Sequence, residues 1–205
     1  MNRTTALTAL LAFALISGAP ALAADPPAAA TQGSETTPEQ PDLATVLAAF
    51  AKVKTGLADA VTTGEKEAGG GKAVDATFDP TGTSPVYRVT VYRNNSLWEG
   101  FFDADSGKST GKTNNIAETE LEDQEKKELS GITTAKNSML DAIKAAEKEG
   151  GGKAIDAGIE EHDGKVWYQV AVVKSGAVQP ILVDPATGQA KPAAADAPPA
   201  APKKQ

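Results

Sequence analysis

The chain has 205 residues, with 20 Lys and Arg against 27 Asp and Glu, one His and no Cys, for a formal net charge of −7. That acidic balance excludes sequence-independent nucleic-acid binding, which needs clustered cations to displace counterions from phosphate, and adsorption to an anionic membrane surface. The lack of Cys excludes disulfides, thiolate metal sites, a cysteine nucleophile and a lipid anchor on an N-terminal cysteine.

The chain opens with Arg3, an apolar run from Ala6 to Ile16 and an Ala21-Leu22-Ala23 end. This is the pattern of a cleaved secretory signal peptide over 1–23, and the run falls short of the roughly 20 residues a membrane-spanning helix requires. The expected location is therefore periplasmic or secreted. Residues 24–41 are Ala-, Pro-, Thr- and Glu-rich without apolar periodicity, and residues 190–205 are mostly Ala and Pro closing on Lys203-Lys204. Both compositions predict disordered segments, because they bury too little apolar surface to offset chain entropy.

Between them the sequence repeats. With an offset of 81 positions, Gly70-Gly71-Lys72-Ala73-Val74-Asp75-Ala76 matches Gly151-Gly152-Lys153-Ala154-Ile155-Asp156-Ala157. Tyr87, Val89 and Val91 match Tyr168, Val170 and Val172, and Asp103 and Gly107 match Asp184 and Gly188. Upstream, past one extra residue (Ala68), Glu65-Lys66-Glu67 matches Glu147-Lys148-Glu149. The expected organisation is two small units, 42–112 and 113–189.

In each unit an apolar stripe at steps of three and four predicts one helix. The stripe is Val46, Phe50, Val53, Leu57 and Val61 in the first unit, and Met139, Ile143 and Ala146 in the second. Glycines at 69–71 and 150–152 stop these helices. The period then changes to two, and turns at 79–82, Asn94-Asn95, 161–164 and Ser175-Gly176 separate three strands per unit. Short turns imply antiparallel pairing. The predicted class is α+β, two tandem units of one helix on a three-stranded antiparallel sheet.

These features resemble the PepSY domain. The residues that carry the resemblance are Ala142-Ile143-Lys144-Ala145-Ala146, Gly151 to Asp156, Tyr168-Gln169-Val170 and Asp184-Pro185-Ala186-Thr187-Gly188. In the first unit they are Ala60-Val61, Val74-Asp75, Tyr87-Arg88-Val89 and Asp103 to Gly107, with Gly64 where the second unit has Ala146. The resemblance implies a non-catalytic module that binds or restrains peptidases, or modulates other envelope proteins, here acting in trans.

Motifs with other chemistry are outweighed by plainer readings. Gly69-Gly70-Gly71-Lys72 follows a helix, whereas a phosphate loop precedes one. Asp103-x-Asp105-x-Gly107 lacks the later carboxylate of a calcium loop, and His162 has neither a nucleophile elbow nor an orienting acid. Glu147 and Glu149 read as a solvated helix end. No catalytic residue, metal ligand or cofactor is therefore assigned. The expected site is the sheet face opposite the helix, with Arg88, Tyr92, Trp98, Phe102 and Trp167 as anchors for a protein partner, possibly a peptidase, and Ile181 and Val183 beside them. The two sheets covering each other, or a homodimer through this face, is the plainer alternative. A small-ligand or metal-ion sensor built on the acidic turns is the alternative function.

Overall fold

The structure, a computed structural model, describes residues 41–193. The signal peptide read at 1–23, all but the last residue of the linker read over 24–41 and the tail from 194 onward lie outside the described residues.

The elements run α1 (Leu43–Phe50), α2 (Leu57–Glu67), β1 (Lys72–Asp79), β2 (Val86–Arg93), β3 (Ser96–Asp103) and β4 (Ser109–Ala117), followed by a 3-10 turn (Glu118–Glu120). The second half repeats the plan as α3 (Asp123–Thr133), α4 (Met139–Gly150), β5 (Lys153–His162), β6 (Lys165–Lys174), β7 (Ala177–Val183) and β8 (Ala190–Pro192). The α+β class is as the sequence predicts, but the arrangement is not. All eight strands form one antiparallel sheet in the order β4-β3-β2-β1-β5-β6-β7-β8. Each half contributes four strands, and the halves join edge to edge through β1 and β5. Two separate three-stranded sheets covering one another are thereby ruled out. The boundary read at 112/113 falls inside β4, and the residues read as the start of the tail form β8.

The helical stripe of the first half, read as one helix, breaks between α1 and α2. Gly56 disfavours a helix interior, and it serves as the N-cap of α2, its N–H donating to the Asp59 carboxylate at 3.3 Å. Ser138 and Asp141 cap α4 reciprocally: the Asp141 N–H donates to Ser138 Oγ, and the Ser138 N–H and hydroxyl donate to Asp141 Oδ2. Gly151 ends α4 in the left-handed conformation, φ 64°.

All four helices lie on one face of the sheet. Phe50 of α1 meets Phe78, and Gly64 of α2 lies over Val89 and Phe102. Gly131 of α3 lies over Val166, and Gly150 of α4 over Val172. The core is the layer between, centred on Tyr87, Val89, Val91, Tyr168, Val170 and Val172, each fully buried. The phenol hydroxyls of Tyr87 and Tyr168 donate to the carbonyls of Thr55 and Asn137, 2.8 and 3.1 Å, in the loops between paired helices. Burial pushes the Tyr87 phenol well above its ordinary range and that of Tyr168 to about 12. The same loops are held from the other side, the Thr55 N–H bonding Ala104 O and the Asn137 N–H bonding Pro185 O. The Tyr-x-Val strand and the Asp-x-x-x-Gly turn thus fasten each helix pair to its sheet.

Candidate functional site

The register of each hairpin decides which residues leave the core. Asn94 and Asn95 form a two-residue turn with φ 46° and 58°, so Arg93 faces Ser96, Val91 faces Trp98 and Tyr87 faces Phe102. Directly opposed residues share a face. Trp98 and Phe102 therefore lie under the helices with Tyr87 and Val91, at 6% and 0% exposure. This corrects the expectation that they are open anchors. The indole of Trp98 also lies over Gly100, where an added Cβ would come within 3 Å of the ring. In the second half the Ser175-Gly176 turn likewise sets Val170 against Ile181 and Tyr168 against Val183, so Ile181 and Val183 are core as well.

Arg88, Tyr92 and Trp167 do stand on the helix-free face. Arg88 faces Thr77 and Phe101, and Tyr92 faces Lys72 and Leu97. The Tyr92 hydroxyl donates to the Glu118 carboxylate at 2.9 Å, which raises its pKa. Trp167 faces Glu160, and the ammonium groups of Lys165 and Lys191 stand 4.6 and 4.5 Å from its ring centroid. Lys165 is also paired with Asp184 at 2.6 Å. Phe101, which sequence reasoning missed, occupies the same face with Lys112 4.4 Å above its ring. The signal was present, since counting outward from the Asn94-Asn95 turn places Phe101 opposite Arg88.

The centre of the open face is ionic. Arg88 Nη2 is 4.0 Å from Asp75 Oδ1, and its Nε is 3.6 Å from Glu99 Oε1. Across the joint, Thr77 Oγ1 donates to Asp156 Oδ2 at 2.7 Å. Desolvation, then the charge of Asp156, pushes Asp75 up to about 7, against the pull of Arg88. Desolvation pushes Asp156 to about 6, against the Thr77 hydroxyl and Arg88. Farther along β5, His162 Nε2 lies 3.3 Å from Glu160 Oε2 and 3.2 Å from Gln169 Oε1.

Other residues singled out in the sequence have structural duties. Asp103 Oδ1 accepts from the N–H and hydroxyl of Ser106, which lowers its pKa. Asp184 Oδ1 accepts from the N–H groups of Ala186 and Thr187. Lys72, after the glycine run, donates to the carbonyls of Ile132, Thr133 and Ala135 at the end of α3. Glu147 is not simply solvated. Its carboxylate accepts the Ala154 N–H at 3.0 Å, as that of Glu65 accepts the Ala73 N–H, at matching irregularities of β5 and β1. Among the described residues no group of three or more His, Asp or Glu is placed to hold a metal ion. Nor is any helix there long and apolar enough to cross a membrane.

The fold and its open face define a helix-backed sheet of duplicated design with an aromatic and ionic rear surface. Residues 56–113, from the start of α2 into β4, match the PepSY family, described as the peptidase propeptide and YPEB domain. The resemblance read in the sequence is thus shown over those residues of the first half. No curated protein matches the chain. Among solved structures, one described as that of a lipoprotein (CD1622) from Clostridium difficile 630 is similar at 19% identity and a TM-score of 0.38. The similarity covers 68% of this chain and 92% of that one.

Proposed function

We propose that this protein is an exported, non-catalytic binding module that restrains a peptidase or another envelope protein through the open face of its sheet. The observation that carries this reading is the character of that face. An antiparallel sheet covered by helices on one side is expected to be polar on the other, yet here Tyr92, Phe101, Trp167, Val173 and Val178 share it. Lysines stand over the Phe101 and Trp167 rings, and aromatic groups among cations are typical of the few residues that dominate protein interfaces. The matched family, whose description names peptidase propeptides, supports a peptidase as the partner class.

The test is an inhibition assay of the mature protein against purified peptidases of the same envelope. A Phe101→Ala/Trp167→Ala double variant is expected to weaken inhibition by at least about tenfold, as loss of hot-spot residues does, and to keep its melting temperature within a few degrees. Equal inhibition by the variant and the parent overturns the assignment of this face. Concentration-dependent dimerisation that the double variant abolishes, without inhibition by either form, assigns the face to a second copy instead.

A further inference from the structure

Only three ladder pairs join the halves of the sheet: Asp75 with Gly158, Ala76 with Ala157, and Thr77 with Asp156. Ala76 and Ala157 are equivalent positions of the repeat, so the approximate twofold relation between the halves passes through their pairing. That relation sets Asp75 and Asp156 on either side of the axis, both on the open face. It also sets each aspartate opposite the position that Thr77 occupies in the first half. For Asp156 that position supplies the Thr77 hydroxyl at 2.7 Å. For Asp75 it is Gly158, which has no side chain to donate, so Asp75 shares the one Thr77 hydroxyl with Asp156.

The groups facing Asp75 from each neighbouring strand are few. β2 presents Arg88 and Thr90, β3 presents Glu99 beyond them, and β5 presents Asp156. Three carboxylates therefore gather around one guanidinium, and the Asp75 side chain is only 9% exposed. Fully ionised, the cluster carries two uncompensated negative charges where the halves meet. One proton removes half of that excess.

We propose that this cluster is a proton-operated joint, in which a proton held between Asp75 and Asp156 closes the two halves into one sheet and its loss loosens the β1–β5 pairing. The upward shifts of both carboxyls, to about 7 and about 6, agree in direction with the geometry. An acid that holds its proton more tightly folded than unfolded contributes undiminished stability below its unfolded pKa of about 4. That contribution is lost as pH rises toward the folded value. The joint is therefore firmest at mildly acid pH and weakest above about 7. Asp103, Asp141 and Asp184, held below the ordinary range by hydrogen bonds, act in the opposite sense, and only below about pH 4.

The test follows the carboxyl carbons of Asp75 and Asp156 by NMR titration and amide hydrogen exchange at pH 5 and pH 8, corrected for intrinsic rates. Relative to β6 amides, residues 75–77 and 156–158 are expected to exchange on the order of tenfold faster at pH 8, the factor that corresponds to one pKa unit. Asp75→Asn should remove most of that difference. Gly158→Thr is a second, gentler variant. Its Cβ would stand 3.7 Å from Asp75 Oδ2 without backbone strain, so its hydroxyl adds a donor from β5 beside that of Thr77. It should lower the Asp75 titration point and flatten the pH response. Both carboxyls titrating near 4, or exchange that accelerates equally in β6, would overturn the proposal. A pH response unchanged in Gly158→Thr would do so even if Asp75→Asn fails to fold.

Discussion

In the first half α2 crosses the sheet above Phe102 and carries Gly64 at the crossing. In the second half the repeat sets Val183 at the position of Phe102, and α4 carries a buried Ala146 at the position of Gly64. A methyl on Gly64 would sit 2.8 Å from Val89 Cγ1 and 3.5 Å from Phe102 Cε2. The large ring below and the missing methyl above compensate one another, and the second half has the smaller Val183 and the methyl of Ala146 at the equivalent positions. The backbone plan of the repeat is kept while side-chain volume is traded between layers, which is how a close-packed core tolerates divergence. The outer strands diverge further. β4 runs nine residues against β3, whereas β8 stops after three at Pro192, which has no N–H for the ladder.

The shared tyrosines offer the strongest way to break this comparison. Tyr87→Ala and Tyr168→Ala should each cost about 3–5 kcal/mol in urea unfolding, the range for removing a buried ring. Tyr87→Ala should cost more, because its ring also meets Phe78 at 5.7 Å between centroids and such pairs add about 0.5–1.5 kcal/mol. Equal losses would show that the first half gains nothing from its aromatic chain. Next come the glutamates: Glu65→Ala and Glu147→Ala should each cost about 1–2 kcal/mol by leaving a strand N–H unpartnered. Similar losses in the two halves would mark this contact as part of the common plan.

The smallest effect sharpens the volume exchange. Gly64→Ala should destabilise by about 1–2 kcal/mol, because crowding of about 1–3 outweighs the roughly 1 kcal/mol gain in helix propensity. In a double-mutant cycle with Phe102→Val the two changes should cost less together than their sum, since they share a contact. Strict additivity would show that Val89 alone sets the limit.

Much of each half was legible because its signals are local. Glycines close the helices, apolar period switches from 3.6 to 2, and the repeat doubles every inference. The two outermost strands, β4 and β8, lack such signals. β4, Ser-Thr-Gly-Lys-Thr-Asn-Asn-Ile-Ala, lies at the sheet edge and is exposed over most of its length, so it has no apolar alternation to read. The joint between β1 and β5 was illegible for a different reason. It pairs a strand with its own repeat across some 80 residues, and nothing near Ala76 or Ala157 specifies a partner. Of the anchors read for the open face, Arg88, Tyr92 and Trp167 are on it. Trp98 and Phe102 read as open in the sequence because β3 is apolar at both parities, Leu97 and Trp98, Phe101 and Phe102. Only the register imposed by the Asn94-Asn95 turn tells the two faces apart.

The self-matching of Ala76 with Ala157 bears on what each half needs from the other. A strand that pairs antiparallel with its own counterpart about a twofold axis is the contact of a symmetric homodimer. Either unit alone would leave its inner edge bare, and within this one polypeptide the repeated copy covers it. The two copies are free to differ at that seam, where a glycine stands opposite one aspartate and a threonine opposite the other.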